Sequence, residues 1–222
     1  MKQSKLFYLV LPFIVLAIPW AYLAFVWNEL PQTIATHFGI DGTPDKFGKK
    51  TEIIFGPLIV SIVGLLTYFL LRNIHKIDPK KKYTEKNASL MRKLSVVMLI
   101  FLSFISIFII YSSLVGKIAG ISLMLCGLGL FFAYIGNLLH SIKPNYFAGF
   151  RIPWALENED NWRKTHQLAS KVWFIGGLLL AFLSLILTTK ILFIVFFVVV
   201  SIMTIVPILF SYNHFRKRQR NT

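Results

Sequence analysis

The sequence predicts an all-α polytopic membrane protein with six transmembrane helices and cytoplasmic N- and C-termini. Three observations predict it. Of the 222 residues, 56% are hydrophobic and only 15% charged, where a soluble domain carries about 25% charged. Six apolar runs approach the ~20 residues that cross a ~30 Å hydrocarbon core at 1.5 Å rise per residue. Finally, the 24 Lys and Arg, set against 9 Asp and Glu, are shared very unevenly among the links between those runs.

The first run, Leu6–Trp27, follows a basic start at Lys2 and Lys5. That start invites a signal-peptide reading. A run of 22 residues exceeds the ~7–15 residues of a signal h-region, however, and no clear A-x-A site follows, so a retained anchor is expected. The next runs are Ile53–Leu71, Leu94–Val115 and Ile118–Leu139, the last two separated only by Gly116-Lys117. Val172–Leu187, the shortest, and Ile191–Tyr212 are joined by Thr188-Thr189-Lys190. Links this short force antiparallel helical hairpins. Residues 1–93 are expected to form a two-helix region with a structured outer loop 28–52 and a basic inner loop 72–93. Residues 94–222 are expected to form a four-helix region with an inner loop 140–171. Cys126 is the single cysteine, so no intrachain disulfide forms.

Orientation follows from the basic residues. With the N-terminus inside, the inner segments hold 19 of them and the outer segments 5. The loops are short enough for the positive-inside rule, which therefore places both termini in the cytoplasm. The Lys80-Lys81-Lys82 run and the Arg216–Arg220 tail follow from the same bias and imply no direct nucleic-acid contact. All nine acidic residues read as loop residues, and no ionisable group falls mid-run. Ion-coupled transporters keep such a group near the midplane, and zinc proteases need His and carboxylate ligands. The expectation is a protein with no catalytic residues, metal or cofactor.

Within the runs, Pro12, Pro19, Pro57 and Pro207 are expected to kink helices and free backbone groups that neighbouring helices satisfy. Gly116-x-x-x-Gly120 and Gly129-x-x-x-Ala133 have the spacing for close helix approach, which places the fourth helix centrally.

Two loops carry the candidate residues. In the outer loop, Asp41-Gly42 and Pro44-Asp45 are turn formers. His37, Asp41 and Asp45 either meet around a cation or cap turns. Its ligand-facing candidates are His37, Gly42, Pro44 and Asp45. The inner loop runs from Asn137 through Pro144, Asn145, Gly149, Arg151, Pro153 and Trp154. Asn158 then caps a helix whose first turn holds Glu159 and Asp160, and Trp162, His166, Ala169 and Trp173 share one face of that helix. His140, His166 and Glu157 form a catalytic or metal site, part of a packed re-entrant or interfacial loop, or part of a binding or gating surface. Arg151, the only charge between Lys143 and Glu157, can pair with a lipid phosphate, a carboxylate or backbone carbonyls. If it makes several directed hydrogen bonds, lysine cannot replace it, whereas His166→Asn is expected to be tolerated.

Gly136-Asn137, Lys143-Pro144-Asn145, Gly149-Phe150-Arg151-Ile152-Pro153-Trp154 and the spaced Trp162, His166, Ala169 and Lys171 together resemble the SdpI family of bacterial membrane immunity proteins. The outer loop around His37-Phe38 and Gly42-Thr43-Pro44-Asp45 resembles a domain often found N-terminal to that signature. The resemblance implies a multi-pass protein of the bacterial cell membrane that gives resistance to a secreted antimicrobial toxin peptide. It also implies a receptor that signals to a cytoplasmic repressor. Its partners would be membrane lipids, the toxin peptide at the outer face and the repressor. The alternative is a small-molecule or lipid permease or exporter, and a membrane enzyme dependent on His140 or His166 stands third.

In a Cys126→Ser background, a cysteine at Thr43 is expected to react with an impermeant thiol reagent on intact cells, and one at Asn87 is not. Labelling at the second site alone would reverse the orientation.

Overall fold

A computed structural model describes residues 2–39, 43–76, 84–116 and 120–220. Helix α1 spans Lys2–Val26, and a hairpin of β1 (Thr33–Phe38) and β2 (Pro44–Lys49) follows. A 3₁₀ turn leads into α2 (Phe55–Asn73); α3 covers Thr84–Val115 and α4 Ile121–Leu139. A one-turn α5 (Pro153–Leu156) precedes α6 (Glu159–Ser184) and α7 (Thr189–Gln219). Six of these helices are long and apolar enough to cross a membrane, and their outward faces carry large apolar side chains such as Phe25, Leu66 and Ile194. The chain is a multi-pass membrane protein. Its fifth span begins at Glu159, well before the apolar run at Val172.

The hairpin corrects the all-α expectation. Thr33, Ile34 and Thr36 are β-branched and suit a pleated strand, while Pro44 sits first in its strand, where no ladder N–H is lost. The strands pair antiparallel from Thr33 opposite Lys49 to Phe38 opposite Pro44, with irregular register around His37. Gly42 and Asp41 lie outside the described residues.

The chain divides into two compact units: residues 1–70 with 95–124, and residues 71–94 with 125–222. In the first, Ile34 and Ile53 pack with Leu23, Val26, Leu30 and Ile110 and so tie the hairpin to helix ends. Pro12 and Pro19 lie inside α1. Each lacks the N–H that would bond the carbonyl four residues earlier. Those two carbonyls receive side-chain donors instead: Tyr68 Oη–H bonds the Tyr8 oxygen at 2.7 Å, and Ser103 Oγ–H bonds the Val15 oxygen at 3.0 Å. Pro207 of α7 repeats the arrangement in the second unit, where the Trp173 indole N–H donates to the Met203 oxygen at 2.8 Å. Pro57 is placed differently from the other three. It is the third residue of α2, in the first turn, where no helical donor is needed.

In the second unit, α4 and α6 touch backbone to backbone. A Cβ on Gly129 would lie 2.7 Å from the Gly177 oxygen and 2.6 Å from the Ala181 nitrogen, and one on Gly136 would lie 2.5 Å from the Phe174 nitrogen. Gly129-x-x-x-Ala133 therefore meshes with Gly177-x-x-x-Ala181. Gly116-x-x-x-Gly120 does not act this way. Both glycines have φ near +70° in the link between α3 and α4, and nothing lies within 4 Å of a Cβ on Gly116; they are glycine because of their left-handed backbone.

Asn87 is buried and bonded to Lys143, so a cysteine there would go unlabelled on either side of the membrane. Exposed Lys217 is the better second reporter. Gly129→Leu is expected to cost about 1–3 kcal/mol, the usual range for overpacking, read as an earlier midpoint of unfolding in mixed micelles. Gly116→Ala is expected to leave α4–α6 packing intact.

Candidate functional site

Between α4 and α6 the helix stops for thirteen residues, 140–152, and the backbone polar groups of this stretch need other partners. Side chains supply them. The Asn145 amide is nearly fully buried. Its Oδ1 accepts the N–H groups of Phe147 and Ala148 at 2.8 and 2.7 Å, and its Nδ2 donates to the oxygens of Lys143 and Ala148 at 2.9 and 3.1 Å. All the donors and acceptor sites that an amide offers are used. From α3, Asn87 accepts the Lys143 N–H at 3.0 Å and donates to the Lys143 oxygen at 3.2 Å. From α6, the Trp162 indole N–H bonds the Ile142 oxygen at 3.0 Å.

His166 is 1% exposed and stacks on Trp162 with ring centres 4.1 Å apart. Its Nε2 faces the Phe150 N–H at 2.9 Å and its Nδ1 faces the Trp162 oxygen at 2.8 Å. An N–H pointing at Nε2 requires that nitrogen to be bare, and a carbonyl facing Nδ1 requires a proton there. The ring is therefore the neutral Nδ1–H tautomer, with both nitrogens committed to backbone. Gly149, at φ +101°, passes so close that a Cβ would collide with His166 Nε2. The Gly149–Phe150 backbone thus seats on the imidazole, which explains the glycine on both conformational and steric grounds. Asparagine is too short to reach both partners of this ring, so the expectation that His166→Asn is tolerated does not fit the geometry.

Arg151 pairs with a backbone carbonyl, one of the partners expected for it. It is exposed and, among the described residues, makes one hydrogen bond, Nη1 to the Tyr146 oxygen at 2.7 Å. The planar fork is not used, and a lysine can make a single bond of this kind. Pro144 is buried, Pro153 occupies the first turn of α5, and the Trp154 ring lies edge-on to Tyr212 and tilted against Phe215. His140 and Glu157 are exposed and neither bonds His166, so the three residues do not form one site. Asn137 is exposed beside His140, in a cavity that also reaches Ser170 and Lys171. In the hairpin, His37 Nδ1 and Asp45 Oδ1 meet at 2.6 Å, largely in solvent. Pro44 opens the second strand of that hairpin.

Asn158 caps α6 by accepting the N–H groups of Asp160 and Asn161 at 3.0 and 2.9 Å, as its position predicts. Two features carry no clear mark in the sequence. Asp160 holds Arg163, Lys164 and His214, and so joins the end of α7 to the start of α6. Asn161, 2% exposed, donates to the oxygens of Trp154 and Ser211 and accepts from the hydroxyls of Thr165 and Ser211. The sequence offers little signal for this knot, because Ser211 is one of three Ser and Thr residues, with Ser201 and Thr204, in the apolar run Ile191–Tyr212.

Residues 141–211 match the model of the SdpI/YfhL protein family, and residues 4–61 match a domain of unknown function, DUF1648. The chain is 28% identical over 193 residues to the Immunity protein SdpI of Bacillus subtilis, covering 86% of this chain and 88% of that protein. It is also 41% identical over 59 residues to an uncharacterized protein of Archaeoglobus fulgidus, covering 27% of this chain and 32% of that protein. No solved structure matches. The loop signature from Lys143 onward and the family match fall on the same segment: residues 141–211 are similar to the SdpI/YfhL family, and residues 4–61, ahead of them, to DUF1648.

Proposed function

We propose that this protein gives immunity to a secreted, cationic, amphipathic peptide by binding it at the outer face, and that it acts without catalysis. The observation that carries the reading lies in the first unit. A cavity of about 500 Å³ opens between β1, the turn after β2, the start of α2 and the end of α3. That volume suits one small ligand or a few side chains. Its walls are mainly apolar, from Ile34, Ile53, Phe55 and Phe108, and Glu52 supplies a carboxylate. The Ser112 hydroxyl, in the cavity wall and 3% exposed, has no partner among the described residues. A peptide offering apolar side chains and an ammonium group matches this lining in both shape and charge. The family relative named as an immunity protein supports the same reading.

The excess of basic residues in the links supports a hairpin facing outward and a 140–158 loop facing the cytoplasm. Signalling to a cytoplasmic repressor would then use the surface of that loop. The commitment of both His166 nitrogens to backbone supports binding over chemistry, because no ring nitrogen is left to move a proton. No observation favours transport.

The test is survival of sensitive cells expressing the chain under challenge with a cationic amphipathic peptide toxin, with membrane abundance followed by a C-terminal tag. Glu52→Gln keeps the acceptor for the Lys49 N–H and removes only the charge. It is expected to lower the tolerated dose by about tenfold, the scale of one charge-assisted contact, at unchanged abundance. Arg151→Lys is expected to retain protection. Full protection by Glu52→Gln together with Gly56→Leu, which fills the cavity, would exclude this pocket as the binding site.

A further inference from the structure

The loop signature includes Asn137 and Lys171, and neither contributes to the hydrogen bonds that fold the loop. They meet elsewhere. The close approach of Gly136 to Phe174 draws the end of α4 against α6, and a cavity of about 330 Å³ opens there, lined by Asn137, His140, Ser141, Ser170, Lys171 and Phe174. Asn137, His140 and Ser141 sit at i, i+3 and i+4 on one side, and Ser170, Lys171 and Phe174 face them from α6. Five of the six carry a hydrogen-bond donor, one is a cation, and none is acidic. Ser170 is 8% exposed, and none of the five polar side chains has a hydrogen-bond partner among the described residues.

Convergent, unused donors around a lysine are the chemistry of an anion site. The surroundings narrow the anion. α4 ends at Leu139, and the apolar run of α6 begins at Val172, so the cavity lies where hydrocarbon gives way to headgroups. Phe174 and the exposed Ile175 and Leu178 continue from it as an apolar track along α6. Basic pockets between spans at this depth hold anionic lipid headgroups. We propose that this cavity binds the phosphate of an anionic phospholipid, with Lys171 as the charge, Asn137, His140, Ser141 and Ser170 as directed donors, and one acyl chain along Phe174. The site shares no residue with the hairpin cavity and does not depend on the immunity reading.

The test is native mass spectrometry of the full-length protein in detergent, titrated with phosphatidylglycerol or phosphatidylcholine, with inorganic phosphate as competitor. Wild type is expected to retain one phosphatidylglycerol in preference to phosphatidylcholine. Lys171→Ala and Asn137→Ala, both at exposed positions, are each expected to weaken retention by about tenfold at an unchanged unfolding midpoint, and Lys171→Arg is expected to restore it. Retention by Lys171→Ala equal to wild type would overturn the proposal. So would displacement of the lipid by inorganic phosphate, because the site would then recognise a free anion.

Discussion

A carbonyl that loses its helical donor inside a bilayer has no water to turn to, and much of this structure is arranged around that fact. Pro12, Pro19 and Pro207 each remove one donor within a span. The carbonyls four residues before them, at Tyr8, Val15 and Met203, are met by the hydroxyl of Tyr68, the hydroxyl of Ser103 and the indole of Trp173. Each pairing links two helices within one compact unit. The prolines thus act as sites of directed contact between spans, where otherwise only dispersion would hold apolar faces together.

The loop between α4 and α6 follows the same rule over a longer stretch. Its backbone has no helix or sheet to bond with, and Asn87, Asn145, Trp162, His166 and Asn161 take the place of a ladder. The backbone-to-backbone contact of α4 with α6 at Gly129, Gly136 and Gly177 brings those side chains within reach. The family signature over this segment therefore reads largely as a folding instruction. Asn145 and His166 hold the backbone, Gly149 yields room to the imidazole, and Trp162 closes the turn. Asn137 and Lys171 are left over from that role, which is why they carry a binding proposal and His166 does not.

The six spans are legible in the sequence because an apolar run near bilayer length suits a membrane span and little else. Periodicity alone places Trp162, His166 and Ala169 on one buried face, and the acidic first turn marks Asn158 as a cap. The hairpin is not legible as strands. Its two six-residue strands are too short and too irregular around His37 to show alternation. Asn161 and Asn87 stay hidden because their partners Ser211 and Lys143 lie 50 and 56 residues away, and nothing local marks a lone asparagine as the centre of a network. Arg151 misleads in the opposite sense. A charge flanked by Gly149 and Pro153 suggests a clamp, but such flanks fix only the backbone, and the guanidinium reaches one carbonyl.

The most direct test of the central constraint is a double-mutant cycle on Ser103 and Pro19, followed by reversible unfolding in mixed micelles. In the wild-type background Ser103→Ala is expected to cost about 1–3 kcal/mol, because the Val15 carbonyl loses its partner. In a Pro19→Ala background the restored N–H reaches that carbonyl, and Ser103→Ala is expected to cost almost nothing. Ser106→Ala, whose hydroxyl has no partner among the described residues, should be silent in both backgrounds. Equal costs for Ser103→Ala with and without Pro19 would contradict the account.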